Sequence, residues 1–550
     1  MHEADRQFLF LKREGVHPLS KDSLIRGTLV LTLAAFISRF LGVFQKLPLN
    51  YMLLSDVGTY GIAFNIYSLI LIVATAGIPS ALSKTVSAKL ANGCEKEARE
   101  LYASAILYAI LIGFLAALLL YIAAPLYASW VKSPSAVSSI RAIAPTLLFF
   151  PLIAIMRGHF QARQHMTPNA ISQIVEQIFR VASSLLLAWV FLSVNTNAAA
   201  AGASFGAVVG GIGALFIMVF YSKKMFPETS VLRTLRNTKR PHKLKYFLFN
   251  KSFFHMIILT GLPIVIYSMA VTVIYTIDTS TIISLLHGQM GLSDAADVVS
   301  VYTGIAQPIA GLPVILAIAL SQTAVPIISS NYSLRNMEIV SRNVTKVYRI
   351  SIITGLPMVL LLCITAFPIS GIFNFGGVQI GVELAPRMMI LMVISAFFQI
   401  LMQTSGAILT GTGRMRLLIW SVLFGVLTKI IGNLILAPKW GIDGIMTASI
   451  LAFLVMSLLN YAGIRLTVSF RIYNKGTWFK LALLVLLTLP FFAADNMLGM
   501  EFGFLPYCIV FGVYSILFLL LFIVYLIIAK AVSKGLRNFR AWVRDDAPHA

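Results

Sequence analysis

The sequence predicts an all-α polytopic membrane protein. Three observations predict it. Of the 550 residues, 58% are hydrophobic and only 11% charged, and the mean hydropathy of +0.87 is far above that of a soluble chain of this length. Apolar runs long enough to cross about 30 Å of hydrocarbon as helix recur from end to end. The short alternating segments of a membrane barrel do not occur.

Fourteen spans are expected, near residues 25–50, 57–79, 102–128, 140–160, 169–193, 198–221, 253–286, 298–328, 346–373, 383–411, 415–437, 441–464, 478–497 and 504–529. The first run is too long for a signal peptide and lacks a small-residue cleavage site, so the charged tail 1–23 is expected to stay. Spans one to six form a first lobe over 24–221, and spans seven to twelve a second over 253–464. Between them lies the basic segment 222–252, read as a cytoplasmic linker that fixes topology and meets anionic headgroups. The last two spans occupy 465–530, and a basic tail covers 531–550.

The two lobes read as a weak parallel repeat. Glu95, Arg99 and Pro125 match Glu338, Arg342 and Pro368 at a shift of 243, and Met166, Ser172 and Arg180 match Met415, Ser421 and Lys429 at 249. Gly202 matches Gly444 at 242. Six spans is an even number, so both halves share one orientation, as in transporters that rock about a central site.

All but eight of the 43 Lys and Arg residues fall in the two tails and the even-numbered loops. The positive-inside rule makes those segments, and both termini, cytoplasmic. The net charge of +23 is then mostly a topology signal, and no nucleic-acid partner is expected. Cys94, Cys363 and Cys508 are too scattered for a disulfide framework or thiolate metal site, and no metal is expected.

Breakers mark hinge candidates. "GIAQPIAGLP" puts Gly304, Pro308, Gly311 and Pro313 inside the eighth span, and Pro263 follows Gly261 near the start of the seventh. Gly202, Gly206, Gly210 and Ala214 form a small-residue stripe that reads as close helix packing.

The informative charges lie within the membrane. Thr167 is expected to cap the fifth span ahead of Pro168, which puts Glu176 roughly 12 Å deep and Arg180 near the midplane. Gln173, Glu176, Gln177 and Arg180 share one face, which must look onto protein or a watery cavity. Lys429, the repeat partner of Arg180, sits at similar depth, and Arg39 lies in the outer half of the first span with Lys46 nearer its end. The two symmetry-related cations Arg180 and Lys429, with Arg39 nearby, suggest a cavity that attracts anions, tempered by Glu176. Pairing of Glu176 with Arg180 inside a packed bundle is the competing reading. For Asp278 in the seventh span three roles stay open: a partner for Arg39, a site for a coupling proton or sodium ion, or an interfacial residue.

The runs "RGHFQARQHMTPNAISQIVEQIFRV" (157–181), "LIRGTLVLTLAAFISRFLG" (24–42) and "GIPSALSKTVSAKLANG" (77–93) resemble the polysaccharide-export branch of the multidrug/oligosaccharidyl-lipid/polysaccharide exporter superfamily. Within it the likeness is to the lipid II flippases and their sporulation relatives. The resemblance implies a two-lobed, V-shaped transporter of the bacterial cytoplasmic membrane. It would move an undecaprenyl-pyrophosphate-linked muropeptide to the outer leaflet by alternating access. The resemblance also implies that Arg39 lines the cavity. Gram-negative relatives carry a further arginine near the start of the eighth span, where this chain reads "YTGIAQP".

Partners implied are a lipid-linked anionic oligosaccharide as substrate and membrane lipids, with cell-wall synthesis machinery left open. No cofactor is expected. A GxxxxGK loop is missing from the sequence, which turns the expected drive to the membrane potential or a monovalent ion. The rivals are a drug or cation antiporter, a flippase for teichoic, capsular or sporulation precursors, and a membrane glycosyltransferase. The transferase is disfavoured because the outer acids are spread over short loops.

Overall fold

The computed structural model describes residues 21–227 apart from 76 and 164, 262–470 apart from 375–378, a few residues from 472 to 488, and 504–529. All regular structure among the described residues is helical. The expected thirteenth span at 478–497, the linker beyond residue 227 and both tails lie outside the description, apart from isolated residues near 485.

The first half comprises α1 (Lys21–Leu53), α2 (Val57–Thr75), α3 (Ile78–Ala91), α4 (Glu95–Trp130), α5 (Ala136–Ile143), α6 (Phe150–Ala162), α7 (Thr167–Leu192) and α8 (Thr196–Met225). The second half comprises α9 (Leu262–Met290), α10 (Leu292–Val301), α11 (Gln307–Ser333), α12 (Met337–Ile364), α13 (Ala366–Asn374), α14 (Gln379–Gly411) and α15 (Met415–Arg465), and α16 (Phe504–Ala529) follows. Eleven segments among the described residues are long and apolar enough to cross a membrane. Two of them, Leu33–Thr75 with 43 residues and Met415–Arg465 with 51, far exceed one crossing. The longer one reverses at Gly441, whose φ of 56° and ψ of −132° suit only a residue without a side chain.

Several boundaries differ from expectation because hydropathy registers only the lipid-facing part of a helix. α4 begins at Glu95, with Glu95 and Glu97 in its first turn where the helix dipole favours acids. α12 begins at Met337 and stops at Ile364, so the expected span 346–373 is in fact two helices. Between the second and third spans the structure adds α3. Thr167 lies inside α7 and makes no side-chain cap, whereas Asn195 does cap α8 by accepting from the Ala198 amide at 2.7 Å.

The glycine stripe packs α8 onto α7. A Cβ at Gly210 would press on the Glu176 carbonyl oxygen, and one at Gly202 on the Leu187 carbonyl oxygen. The repeat reappears here: a Cβ at Gly444 would strike the Leu436 carbonyl oxygen, the same contact shifted by 242 and 249 residues.

α1 ends at Leu53 where α2 begins at Val57, α9 ends at Met290 where α10 begins at Leu292, and Tyr127 near the end of α4 meets Ser280 of α9, so these helix ends gather at one end of the molecule. Side-chain hydrogen bonds between the halves gather at this far end. Gly58 donates its amide to Ser300 Oγ at 3.1 Å. Asn65 and Gln307 exchange amide hydrogen bonds of 3.2 and 3.0 Å. Tyr127 meets Ser280 at 2.8 Å. Each of the pairs 58–300 and 65–307 is separated by 242 residues, the same shift that relates Gly202 to Gly444. One hydrophobic core joins both halves here. At the other, near end there are two cores. One holds only first-half residues such as Leu82, Tyr102 and Phe160, and the other only second-half residues such as Ile328, Tyr348 and Leu418.

The breakers of the eighth span lie toward the far end. Residues Tyr302–Ala306 form a π-helical turn, and α11 continues through Pro308 and Pro313 without interruption. Pro308 has no N–H to offer the Gly304 carbonyl. Asn50 Nδ2 from the first half donates to the Gly304 carbonyl at 3.1 Å. Gly311 has open space around its Cα, and Pro263 lies among the first described residues of α9.

Candidate functional site

Arg180 leaves α7 on the side that faces α1. A Cβ on Gly42 would lie 3.5 Å from Arg180 Nη2 and 3.3 Å from Gln177 Nε2, so the bare glycine makes the slot that the guanidinium occupies. Arg180 Nη2 donates to Gln177 Oε1 at 2.6 Å, and its Cζ stands 5.8 Å from the Phe64 ring centre. Gly210 brings the α8 backbone against the other side of Arg180. The arginine is thus aimed inward, while Ile178 and Phe179 beside it are exposed at the periphery.

Lys46 follows Gly42 by one helical turn. Its Nζ lies 4.3 Å over the Tyr60 ring, and its charge and that of Arg180 act on one another. Arg39 precedes Lys46 by seven residues, two turns along the same face of α1 and about 10 Å away. It is exposed and lies within electrostatic reach of Tyr275 of the second half, whose hydroxyl donates to Gln399 Oε1 at 2.9 Å. Phe36, Phe40 and Phe44 stack along the neighbouring face.

Arg39, Lys46 and Arg180 therefore converge on one region, and among the described residues no carboxylate pairs with any of them. Two buried N–H donors nearby also lack acceptors: Gln177 Nε2 and Arg180 Nε. Surplus positive charge with unused donors is the chemistry of an anion site. Gln173 contributes through its backbone, its carbonyl accepting from Ser38 Oγ at 3.3 Å.

Glu176 does not pair with Arg180. Its Oε2 accepts from Arg157 Nη2 at 2.9 Å, with side-chain exposures of 14% and 17%. Arg157 Nε also donates to Ser172 Oγ at 3.0 Å, and the Arg157 carbonyl accepts from Asn169 Nδ2 at 3.0 Å.

Lys429 is placed differently from the cavity-facing position expected for it. It is fully buried, 2.5 Å from Asp278 Oδ1, which is also fully buried. Its Nζ donates to the Ile445 carbonyl at 2.8 Å and to Ser449 Oγ at 2.7 Å. Ser449 and Tyr302 each donate to Asp278 Oδ2 at 3.1 Å. The two repeat-related cations have thus diverged: α9 supplies an acid to Lys429, whereas α1 carries no acid after Asp22 to supply one to Arg180. Of the roles left open for Asp278, pairing with Arg39 is replaced by pairing with Lys429.

Sequence reasoning did not include Lys46, Gln45, Gly42, Tyr275 or Arg157 in the site. Lys46 was within reach through its spacing of seven from Arg39. Arg157 reads in the sequence as one of the basic residues at the cytoplasmic ends of the spans, and no spacing rule links it to a residue on another helix.

Comparison with known proteins agrees with this architecture. The chain is 27% identical over 475 residues to the lipid II flippase MurJ of Bacillus subtilis, a match that covers 84% of this chain and 86% of that protein. It is 24% identical over 485 residues to stage V sporulation protein B of the same organism, covering 85% and 88%. A solved structure of lipid II flippase MurJ in an inward closed conformation superposes with a TM-score of 0.63 at 17% identity, covering 91% of this chain and all of that one. A family model described as "Polysaccharide biosynthesis protein" matches residues 24–332, more than half of the chain. The chain belongs to this polysaccharide biosynthesis protein family and is a multi-pass membrane protein.

Proposed function

We propose that the protein is a flippase that carries undecaprenyl-pyrophosphate-linked peptidoglycan precursor, lipid II, from the cytoplasmic to the outer leaflet by alternating access. It acts as a transporter and not an enzyme. The observation that carries the reading is the convergence of Arg39, Lys46 and Arg180 without a carboxylate partner. A pyrophosphate leaving water needs cations, and a charge facing lipid at mid-membrane costs several kcal/mol. The likeness to the Bacillus flippase over most of both chains supports the choice of substrate.

In this reading the chain crosses the membrane fourteen times. The two over-long segments each hold two crossings, and residues 478–497 add one. Two six-helix lobes are followed by two helices, with both termini cytoplasmic. The shared core then lies toward the outside and the separate cores toward the cytoplasm, a state that receives substrate from within. The kink-prone run from Gly304 to Pro313, with Pro263, serves as the hinge region. The prenyl tail stays in lipid while the headgroup passes between the lobes.

The membrane potential is the proposed drive. Lys429 already neutralises Asp278, which argues against a mobile coupling ion at that carboxylate. Moving one negative charge outward is favourable by about 2.3 kcal/mol per 100 mV.

The test is depletion of the protein, identification of the lipid-linked precursor that accumulates on the inner leaflet, and complementation by Arg39→Ala and Arg180→Ala. Accumulation of lipid II and failure of both variants are expected. Full rescue by both variants removes the site, and accumulation of a teichoic or capsular precursor replaces the substrate.

A further inference from the structure

Glu176 stands where it could cancel the anion site. It lies one helical turn before Arg180, in the acid-before-base order at i,i+4 that favours pairing, and both charges act on Tyr67. Yet Arg180 is turned to Gln177 and the Gly42 slot, and Glu176 is held by Arg157. The grip on Glu176 is built from fixed parts. Arg157 reaches across from α6 with one fork atom on Glu176 and Nε on Ser172 Oγ. The Ser172 hydroxyl donates to the Asn169 carbonyl at 2.8 Å, and the Asn169 amide closes the ring on the Arg157 carbonyl. Asn169 and Ser172 are both fully buried, so the ring does not shift with solvent.

We propose that Arg157 is a positioning residue for the anion site: by holding Glu176, it keeps Arg180 available to the phosphate groups of the substrate. The inference rests on the anion-receiving role proposed for Arg180. Without the Arg157 charge, Glu176 is left partly desolvated beside an arginine it can reach, and it takes that partner. The site then loses one of its three cations, and Arg180 is drawn out of the Gly42 slot.

The test measures binding of farnesyl pyrophosphate to the full chain in lipid nanodiscs, with the thermal midpoint of each variant recorded alongside. Arg157→Gln is expected to weaken binding about tenfold, and the double variant Arg157→Gln/Glu176→Gln to recover to within about threefold of the parent. Both variants lack the bonds of Arg157 to Ser172 and Glu176, so recovery in the double variant cannot come from restored packing. Arg157→Lys, which keeps the charge without the fork, is expected to stay within about threefold of the parent. A double variant as weak as Arg157→Gln, or unchanged binding in Arg157→Gln, overturns the inference. So does an Arg157→Lys variant as weak as Arg157→Gln. Arg180→Gln separates the two readings: loss of binding there with normal binding in Arg157→Gln leaves the site standing without this role for Arg157. Unchanged binding in Arg180→Gln overturns both.

Discussion

Asn65 and Gln307 exchange two side-chain hydrogen bonds across the junction of the two halves, at 3.2 and 3.0 Å, and are separated by 242 residues. The same separation relates Gly202 to Gly444, which make equivalent contacts in the two halves. In the alternating-access cycle proposed above, the pair is one position of the repeat meeting its own counterpart and sits where the halves would part for an outward opening.

Cysteines at positions 65 and 307, joined by a short bifunctional maleimide, are expected to lock the chain and stop transport, while either single cysteine treated alike stays active. Vesicle flipping assays on the linked and unlinked proteins check this. Undiminished transport by the linked protein would mean that the far end does not open.

Gly42→Leu is expected to lower transport at least about tenfold while leaving the fold intact. The added side chain fills the slot of the Arg180 guanidinium, where a Cβ alone already comes within 3.3 Å of Gln177 Nε2. Transport rate and thermal midpoint, measured together, separate displacement of the arginine from unfolding.

Lys429→Met leaves the Asp278 carboxylate buried without a cation, which is expected to cost about 3–5 kcal/mol. Lys429→Met/Asp278→Asn should recover most of that loss, because both charges are then gone. Detergent-solubilised unfolding of the three proteins gives the comparison. A single variant as stable as the parent would mean that water or an ion reaches the carboxylate.

Gly441→Ala forces a side chain onto a backbone with φ of 56° and ψ of −132°, at an expected cost of about 1–3 kcal/mol. The measurement is the same unfolding experiment, and an unchanged midpoint would show that the reversal relaxes to ordinary angles.

Hydropathy made the helical class and most spans readable, because lipid demands long apolar helices wherever the chain crosses. It misjudged α12, whose first turns carry the exposed pair Glu338 and Arg342 and continue beyond any apolar signal. Along one helix, spacing was informative: Arg39 with Lys46, and Gln173, Glu176, Gln177 and Arg180, all follow helical periodicity. Between helices it was silent. Asp278 lies 151 positions before Lys429, and Arg157 lies on a different helix from Glu176, so neither partnership leaves a local pattern. The repeat itself misled at one point, since the equivalence of Arg180 and Lys429 in sequence carried no information about whether an acid faced each of them.

The bond from Asn50 to the Gly304 oxygen has a consequence for the energetics of opening. The donor is a side chain of the first half and the acceptor a backbone oxygen of the π-helical turn in the second, so the two halves are latched there by a single side chain. Breaking that bond removes no backbone donor from the ladder of the crossing helix. In the proposed cycle, a doorway fastened by one side chain can open and close without any partial unwinding of its frame.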